Sequence, residues 1–162
     1  MEAWRSNYHG LQARFKKTNF ILYGSVDDIW LDTKNNYLIL VDYKSQANEK
    51  EVSQETYWDG DFKTGYQTQL DFYFYLLKQQ NFKETISDDA YLLVVNARGL
   101  EDKFDNKLLF QSKLIHTKVK DDYLENEIQE MIDVFNSYNI PESNKLCKNC
   151  AYARQRSIID KL

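Results

Sequence analysis

Two apolar segments separated by a polar turn constrain the fold of this chain most. Residues 25–31 and 37–41 are rich in β-branched, aromatic and leucine side chains, and residues 32–36 between them are turn formers. This pattern predicts a β-hairpin. The second segment runs directly into Asp42-Tyr43-Lys44. Because side chains alternate along a strand, Asp42 and Lys44 are expected on one face and Tyr43 on the other.

The hairpin turn would bring a second carboxylate, Asp27, beside Asp42. Two carboxylates are hard oxygen ligands of the kind that Mg²⁺ or Mn²⁺ prefers, and Lys44 would be a cationic catalyst next to them. Asp27 and Asp28 could instead be surface residues entering a turn. A carboxylate within an apolar strand needs a partner, however, and this favours a site at Asp27. Asp28 alternates to the opposite face and is not expected to be a ligand.

The rest of the chain predicts an α/β fold in which helices flank a mixed central β-sheet. Trp58, ahead of the main helix, is expected in the core. The predicted elements are, in order, strands 19–23, 25–31 and 37–43 as an antiparallel meander, a polar loop 45–56 that could move over the site, a helix 62–80, a buried strand 89–96, an edge strand 107–119, and a helix 124–138 stopped by Pro141.

Composition limits the classes of protein that this chain can be. With 162 residues, 43% of them hydrophobic, one domain over residues 1–162 is expected, with residues 141–162 as a tail that contains both cysteines. No apolar run approaches the ~20 residues that cross a bilayer. Residues 1–5 lack an export signal, so a cytoplasmic protein without a membrane partner is expected. The net charge of −4 does not exclude nucleic acid, because the local field near a site decides phosphate binding.

Three motifs occur in a fixed order along this sequence. They are Gly24-Ser25-Val26-Asp27, then Asp42-Tyr43-Lys44, then Gln69 and Tyr73 on the main helix. This series resembles the G-x-x-D, (D/E)-x-K and Q-x-x-x-Y motifs of the PD-(D/E)XK nuclease superfamily. More narrowly, it looks like the RecB-like branch, which includes the nuclease domains of helicase-nucleases and the CRISPR-associated exonuclease that trims spacer precursors. The resemblance implies a restriction-endonuclease-like core.

The resemblance also implies roles for these residues. Asp27, Asp42 and the backbone carbonyl of Tyr43 would bind Mg²⁺ or Mn²⁺. Lys44 would orient or deprotonate the attacking water and stabilise the transition state. Gln69 and Tyr73 lie one helical turn apart and would both reach toward the metal or the DNA backbone.

The implied protein is a metal-dependent deoxyribonuclease of DNA repair, recombination or defence. DNA would be its partner, with a helicase or another repair or defence protein as a candidate second partner, and its oligomeric state is left open. Many relatives complete the metal shell with a histidine or glutamate from an N-terminal helix. Here only Glu2 and His9 are available, and both are expected on the surface. A catalytically inactive nuclease fold that binds DNA or acts as a scaffold is therefore the alternative.

Cys147 and Cys150 resemble the cysteine segment that holds an iron-sulfur cluster in some RecB-like nucleases. Such clusters take four thiolates, and this chain has two cysteines, so no cluster is expected within one chain. Free thiols are expected, with Zn²⁺ shared with His116 or a second subunit as the alternative. A small metal-binding interaction protein organised by the cysteine pair is the third functional hypothesis.

Overall fold

The protein is described by a computed structural model that covers residues 3–60, 63–98, 106, 108–139 and 141–159. The chain forms two compact units, Met1–Leu124 and Glu125–Leu162. One domain over the whole chain therefore stays a prediction.

The first unit combines a four-stranded sheet, a separate two-stranded sheet and one α-helix. In the larger sheet the strand order is β3-β4-β5-β6, and β4 and β5 pair in parallel while the two outer pairs are antiparallel. This mixed sheet confirms the predicted α/β class. The elements are β1 Leu11–Arg14, β2 Ile21–Gly24, β3 Asp28–Asp32, β4 Tyr37–Ala47, α1 Lys63–Lys78, β5 Thr85–Arg98 and β6 Leu109–Lys118.

The predicted hairpin is present, but the predicted three-stranded meander is wrong. Strands β3 and β4 pair from Asp28 opposite Val41 to Asp32 opposite Tyr37. Strand β2 instead pairs with β1 in the smaller sheet, and the sequence analysis missed β1. Residues 25–27 connect the two sheets and are not part of a strand. The chain can leave the ladder there because the carboxylate of Asp27 accepts a hydrogen bond from the Tyr43 backbone, 2.8 Å away.

The core lies between the sheet and α1. Buried side chains of β4 and β5, such as Leu40, Leu92 and Val94, belong to one cluster with Leu70 and Leu77 of α1. Burial of these apolar side chains is the main force that holds helix α1 on the sheet. Trp58 packs against the same cluster, as predicted.

One face of α1 differs from the prediction. Asp71 lies outside the stripe of apolar residues that recur at helical spacing along α1, a pattern typical of an exposed side chain, yet it is buried. Its carboxylate accepts hydrogen bonds from Gln67 Nε2 at 2.8 Å, from the Lys120 backbone N–H at 3.1 Å and from the Tyr123 hydroxyl at 2.8 Å. A buried carboxylate with three donors replaces its lost hydration, which apolar periodicity alone does not reveal.

Several boundaries also shift. Strand β4 continues to Ala47 because it pairs in parallel with β5 as far as Ala97, so the polar loop begins at Asn48 and not at residue 45. Strand β5 is longer than the predicted 89–96, and β6 is close to the predicted 107–119. Phe62 and Lys107, the first residues of the predicted helix and edge strand, lie outside the described residues.

The described residues of the second unit form two helices, α2 at Leu124–Asn136, whose first residue still belongs to the first unit, and α3 at Lys148–Ile159. Helix α2 matches the predicted helix 124–138, with Ile128 and Ile132 buried one turn apart. Helix α3 was predicted as a polar tail. It begins after Cys147, whose Sγ accepts the backbone N–H of Cys150 at 3.4 Å and so caps the first turn. Within the described ranges, no helix is long and apolar enough to span a membrane.

Candidate active site

The end of the hairpin brings together the two predicted carboxylates. Asp42 lies on β4 one residue beyond the point where β3 begins to pair, and its side chain is 2% exposed. Asp27 precedes β3, is exposed, and is hydrogen-bonded to the backbone N–H that follows Asp42. One carboxylate is therefore fixed inside the protein and the other faces solvent beside it.

The electrostatics of Asp42 are set by burial and by two charged neighbours, Lys44 and Asp27. Burial raises the pKa of Asp42 above its usual value of 3.8, the hydrogen bond and charge of Lys44 lower it, and the nearby charge of Asp27 raises it. Apart from its ion pair with Lys44, Asp42 Oδ2 has no hydrogen-bond partner among the described residues. Two carboxylates that repel each other across a partly buried site are relieved by a shared cation.

Lys44 lies at the centre of a polar chain that joins β4 to α1. Its Nζ is 2.6 Å from Asp42 Oδ2 and donates to Gln69 Oε1 at 2.9 Å. The Nε2 of Gln69 donates in turn to the Tyr73 hydroxyl at 2.9 Å. The Lys44 ammonium also lies 4.6 Å from the centre of the Tyr66 ring, a cation–π contact. Four of the five predicted side chains, those of Asp42, Lys44, Gln69 and Tyr73, are thus linked by direct contacts. The fifth, Asp27, lies next to Asp42.

Gly24 explains how α1 comes so close to this site. A Cβ at Gly24 would lie 2.8 Å from Cε1 of Tyr73 and 2.9 Å from Cδ1 of Leu76. No real Cβ tolerates contacts of that length, so a side chain here would push the helix away. The glycine of the G-x-x-D motif therefore positions Tyr73, and through it Gln69 and Lys44.

The other face of the hairpin holds Asp28 in a separate set of contacts. The Tyr43 ring, 46% exposed, points to this face, and its hydroxyl donates to Asp28 Oδ2. Asp28 also accepts from Trp30 Nε1 at 3.2 Å and pairs with Arg5. Burial raises the pKa of Asp28, but these hydrogen bonds outweigh it and leave the pKa below its usual value. Asp28 is therefore engaged away from the site, which agrees with its predicted orientation.

The donor set fits Mg²⁺ or Mn²⁺. The described part of the chain contains no group of three or more histidine, cysteine, aspartate or glutamate side chains that could hold an ion. Mg²⁺ is commonly held by one or two carboxylates, with water and substrate phosphate completing its shell. Asp27, Asp42 and the peptide carbonyl of Tyr43 are oxygen donors of this kind, and they would supply part of such a shell. His9 is exposed and bonded to Ser6, and Glu2 lies outside the described residues.

Sequence reasoning missed three residues at this site. Tyr66 lies three positions before Gln69 on α1, and Lys63 lies three positions before Tyr66, so each of these pairs is adjacent on the helix surface. Tyr57 lies in a short 3₁₀ helix ahead of α1, and its ring is 3.7 Å from the Lys63 ammonium. The three-residue spacing from Lys63 to Tyr66 and from Tyr66 to Gln69 is the sequence pattern that could have predicted Lys63 and Tyr66 near the site.

The cysteine pair gives no sign of a metal centre in the described residues. Cys147 and Cys150 are free thiols. The pKa of Cys147 is lowered by hydrogen bonds from Cys150. His116, the predicted alternative zinc ligand, has its Nε2 2.6 Å from Asp89 Oδ1.

Comparison with known families identifies the class of protein. The family model described as the PD-(D/E)XK nuclease superfamily matches residues 2–155, nearly the whole chain. The chain therefore belongs to this superfamily, which confirms the superfamily part of the resemblance. A search of curated proteins and a search of solved structures gave no match.

Proposed function

We propose that this protein is a Mg²⁺- or Mn²⁺-dependent deoxyribonuclease of the RecB-like branch that hydrolyses DNA phosphodiester bonds. The observation that carries the proposal is the meeting of Asp27, Asp42 and Lys44 at one end of the hairpin, with Gln69 and Tyr73 behind Lys44. Membership of a nuclease superfamily supports the same conclusion.

Each residue has a role that follows from its surroundings. Asp42 and Asp27 would hold the ion, which lowers the pKa of bound water and offsets charge on the phosphate. Lys44 is aimed by Asp42 on one side and Gln69 on the other, so its ammonium is fixed where a substrate phosphate would approach. There it would orient the attacking water and stabilise the charge that develops on the phosphate oxygens.

The polar chain behind Lys44 limits its motion. Tyr73 fixes Gln69, and Gln69 fixes the Lys44 ammonium. A side chain that is already oriented loses less entropy when the reaction begins, which is how a site gains rate without new contacts. Arginine would replace Lys44 poorly, because its larger planar guanidinium does not fit the place that the compact ammonium takes between Asp42 and Gln69.

The finer functional assignments rest on the resemblance. DNA is the proposed substrate, single-stranded or with a free end, and exonuclease action in repair, recombination or defence is the proposed setting. A helicase or another protein of these pathways is the proposed partner. The polar chain through Gln69 and Tyr73 supports the RecB-like branch, since it places the Q-x-x-x-Y motif at the site.

The second candidate is an inactive nuclease fold that binds DNA. It is favoured by the two-carboxylate donor set, since the described residues offer no third acidic or imidazole ligand. The third hypothesis, a metal-binding interaction protein built on the cysteine pair, predicts that Cys147→Ser loses metal and fold. The nuclease proposal predicts little change.

A cleavage assay tests the proposal directly. Labelled single-stranded and duplex DNA are incubated with Mg²⁺ or Mn²⁺ and with the wild type, Asp42→Asn or Lys44→Met. We expect each substitution to lower the cleavage rate by about 10²- to 10⁴-fold, the range for loss of one catalytic group. Cleavage that persists in both variants would refute the proposed site. Absence of cleavage in the wild type, with DNA binding retained, would favour the inactive module.

Matched controls separate the site from general effects of charge. Asp88→Asn removes the same charge from a side chain that is 64% exposed, and Lys34→Met removes an ammonium from the exposed hairpin turn. Both controls are expected to cleave at the rate of the wild type.

A further inference from the structure

A cavity lies beside the proposed active site. It has a volume of about 450 Å³, and its lining includes two lysines, Lys50 and Lys63, and two carboxylates, Glu51 and Asp59, together with Gln46 and Tyr57. Gln46 follows Asp42 and Lys44 at alternate positions of β4, so it belongs to the same face of the strand. The cavity therefore continues the face that carries the two proposed catalytic groups.

Lys63 is an ammonium held on aromatic rings at this cavity. Its Nζ lies 3.7 Å from the centre of the Tyr57 ring and 5.1 Å from the centre of the Tyr66 ring. Among the described residues, no carboxylate forms an ion pair with it. Burial, followed by the charge of Lys44, lowers the pKa of Lys63 below its usual value of 10.5.

The ammonium groups of Lys44 and Lys63 thus both lie near the Tyr66 ring, but only that of Lys44 has an ion pair in the described residues. Lys44 contacts the Tyr66 ring and is neutralised by Asp42. Lys63 contacts the same ring and forms no ion pair with a carboxylate of the described residues. Like charges at close range disfavour each other unless an anion lies between or beside them. An anionic ligand that enters the cavity would relieve this repulsion.

The geometry points to Lys63 as the ligand of a second backbone phosphate, next to the phosphate that is cut, on a DNA strand that enters the cavity. This inference rests on the proposed function, since it takes the Lys44 end of the hairpin as the place of cleavage. Phosphate is the anion that repeats along the substrate, and lysine binds it as a point charge. Lys63 would position the strand without taking part in bond breaking.

The test combines variants of Lys63 with oligonucleotides that carry one neutral linkage. Binding of a labelled single strand is measured without divalent ions, so the result does not depend on cleavage. We expect Lys63→Met to weaken binding roughly tenfold, the effect of one charge-assisted contact. The slope of the logarithm of the binding constant against the logarithm of the salt concentration should become less steep by about 0.7. Lys63→Arg keeps the charge and should bind nearly as well as the wild type.

A single methylphosphonate, moved along the strand, identifies the contacted phosphate. At one position it should weaken binding to the wild type and have no further effect on Lys63→Met, because the variant has already lost that contact. In cleavage, the variant should raise KM and leave kcat almost unchanged. A removed catalytic group would lower kcat.

The inference is overturned if Lys63→Met binds like the wild type and like Lys34→Met. It is also overturned if every methylphosphonate weakens the wild type and the variant equally. These outcomes are independent of the proposed function. A protein that does not cleave DNA can still show the Lys63 effect, and a protein that cleaves DNA can lack it. Circular dichroism of each variant confirms that the fold is retained.

Discussion

Asn96 is predicted to fix the start of the loop that borders the cavity. Its side chain is fully buried on β5. The amide donates to the backbone carbonyls of Asn48 at 3.0 Å and Lys50 at 3.3 Å, and its Oδ1 accepts from the Asn48 N–H at 2.9 Å and from Gln46 Nε2 at 3.4 Å. A single side chain therefore satisfies three backbone groups of the loop.

Asn96→Ala removes all four contacts. At a net value of about 1 kcal/mol for each hydrogen bond, the loss would be about 4 kcal/mol. Residues 48–50 are exposed, so water replaces part of the lost bonding. We expect the free energy of unfolding to fall by about 2 to 3 kcal/mol. For a chain of 162 residues this lowers Tm by about 4 to 12 °C.

Urea denaturation followed by circular dichroism measures this change, with Asn7→Ala as the control at an exposed asparagine. Asn96→Asp is the diagnostic second variant. It keeps the acceptor oxygen but turns a carboxylate toward two carbonyls, so it should be less stable at pH 7 than at pH 4 relative to the wild type. A loss below about 0.5 kcal/mol for Asn96→Ala, the range of an ordinary surface substitution, would refute the role assigned to this residue.

Three further predictions concern the site itself. Tyr57→Phe should raise the free energy of unfolding by about 1 kcal/mol in a urea titration, because the enclosed hydroxyl has no hydrogen-bond partner in the described residues; a loss of stability would reveal a partner. Gly24→Ala should cost about 1 to 3 kcal/mol by the same assay, because its Cβ would collide with Tyr73, and it should also slow cleavage; an unchanged stability and rate would contradict the close approach of α1. The pH dependence of stability should differ between the wild type and Asp42→Asn in buffer with a chelator. Burial raises the folded pKa of Asp42 above 3.8, so the wild type loses stability as pH rises from about 3.8 through that folded pKa. Asp42→Asn lacks this carboxyl group and should not show the loss. A stability advantage of the wild type that grows with pH would show that the pairing with Lys44 outweighs burial.

The parts of the fold that depend on local pattern could be predicted from the sequence. The hairpin of β3 and β4 follows from two apolar segments around a turn of polar residues. Helix α1 follows from apolar residues at helical spacing. The face shared by Asp42 and Lys44 follows from strand alternation alone, and the structure places both side chains together.

The parts that depend on long-range contacts could not be predicted. Strand β1 has only four residues, too few for a clear local pattern, and its strand conformation depends on pairing with β2. Asp71 is buried because donors from distant residues reach it.

Asp27 lies beside Asp42, as expected, but for a different structural reason. The sequence analysis placed it inside a strand. In the structure it lies in the segment between β2 and β3 and is held by the backbone of Tyr43. The hydrogen bond to that backbone, rather than strand pairing, directs it toward Asp42.

Direct measurement of Mn²⁺ binding tests the central claim, that Asp27 and Asp42 share one divalent ion. Electron paramagnetic resonance counts the free ion during a titration of the protein. The account predicts one ion for each wild-type chain, loss of binding in Asp27→Asn and Asp42→Asn, and retention in Asp88→Asn. Bound ion at 100 times its Kd should also stabilise the wild type by about 2.7 kcal/mol. Binding to Asp42→Asn with the affinity of the wild type would contradict the account.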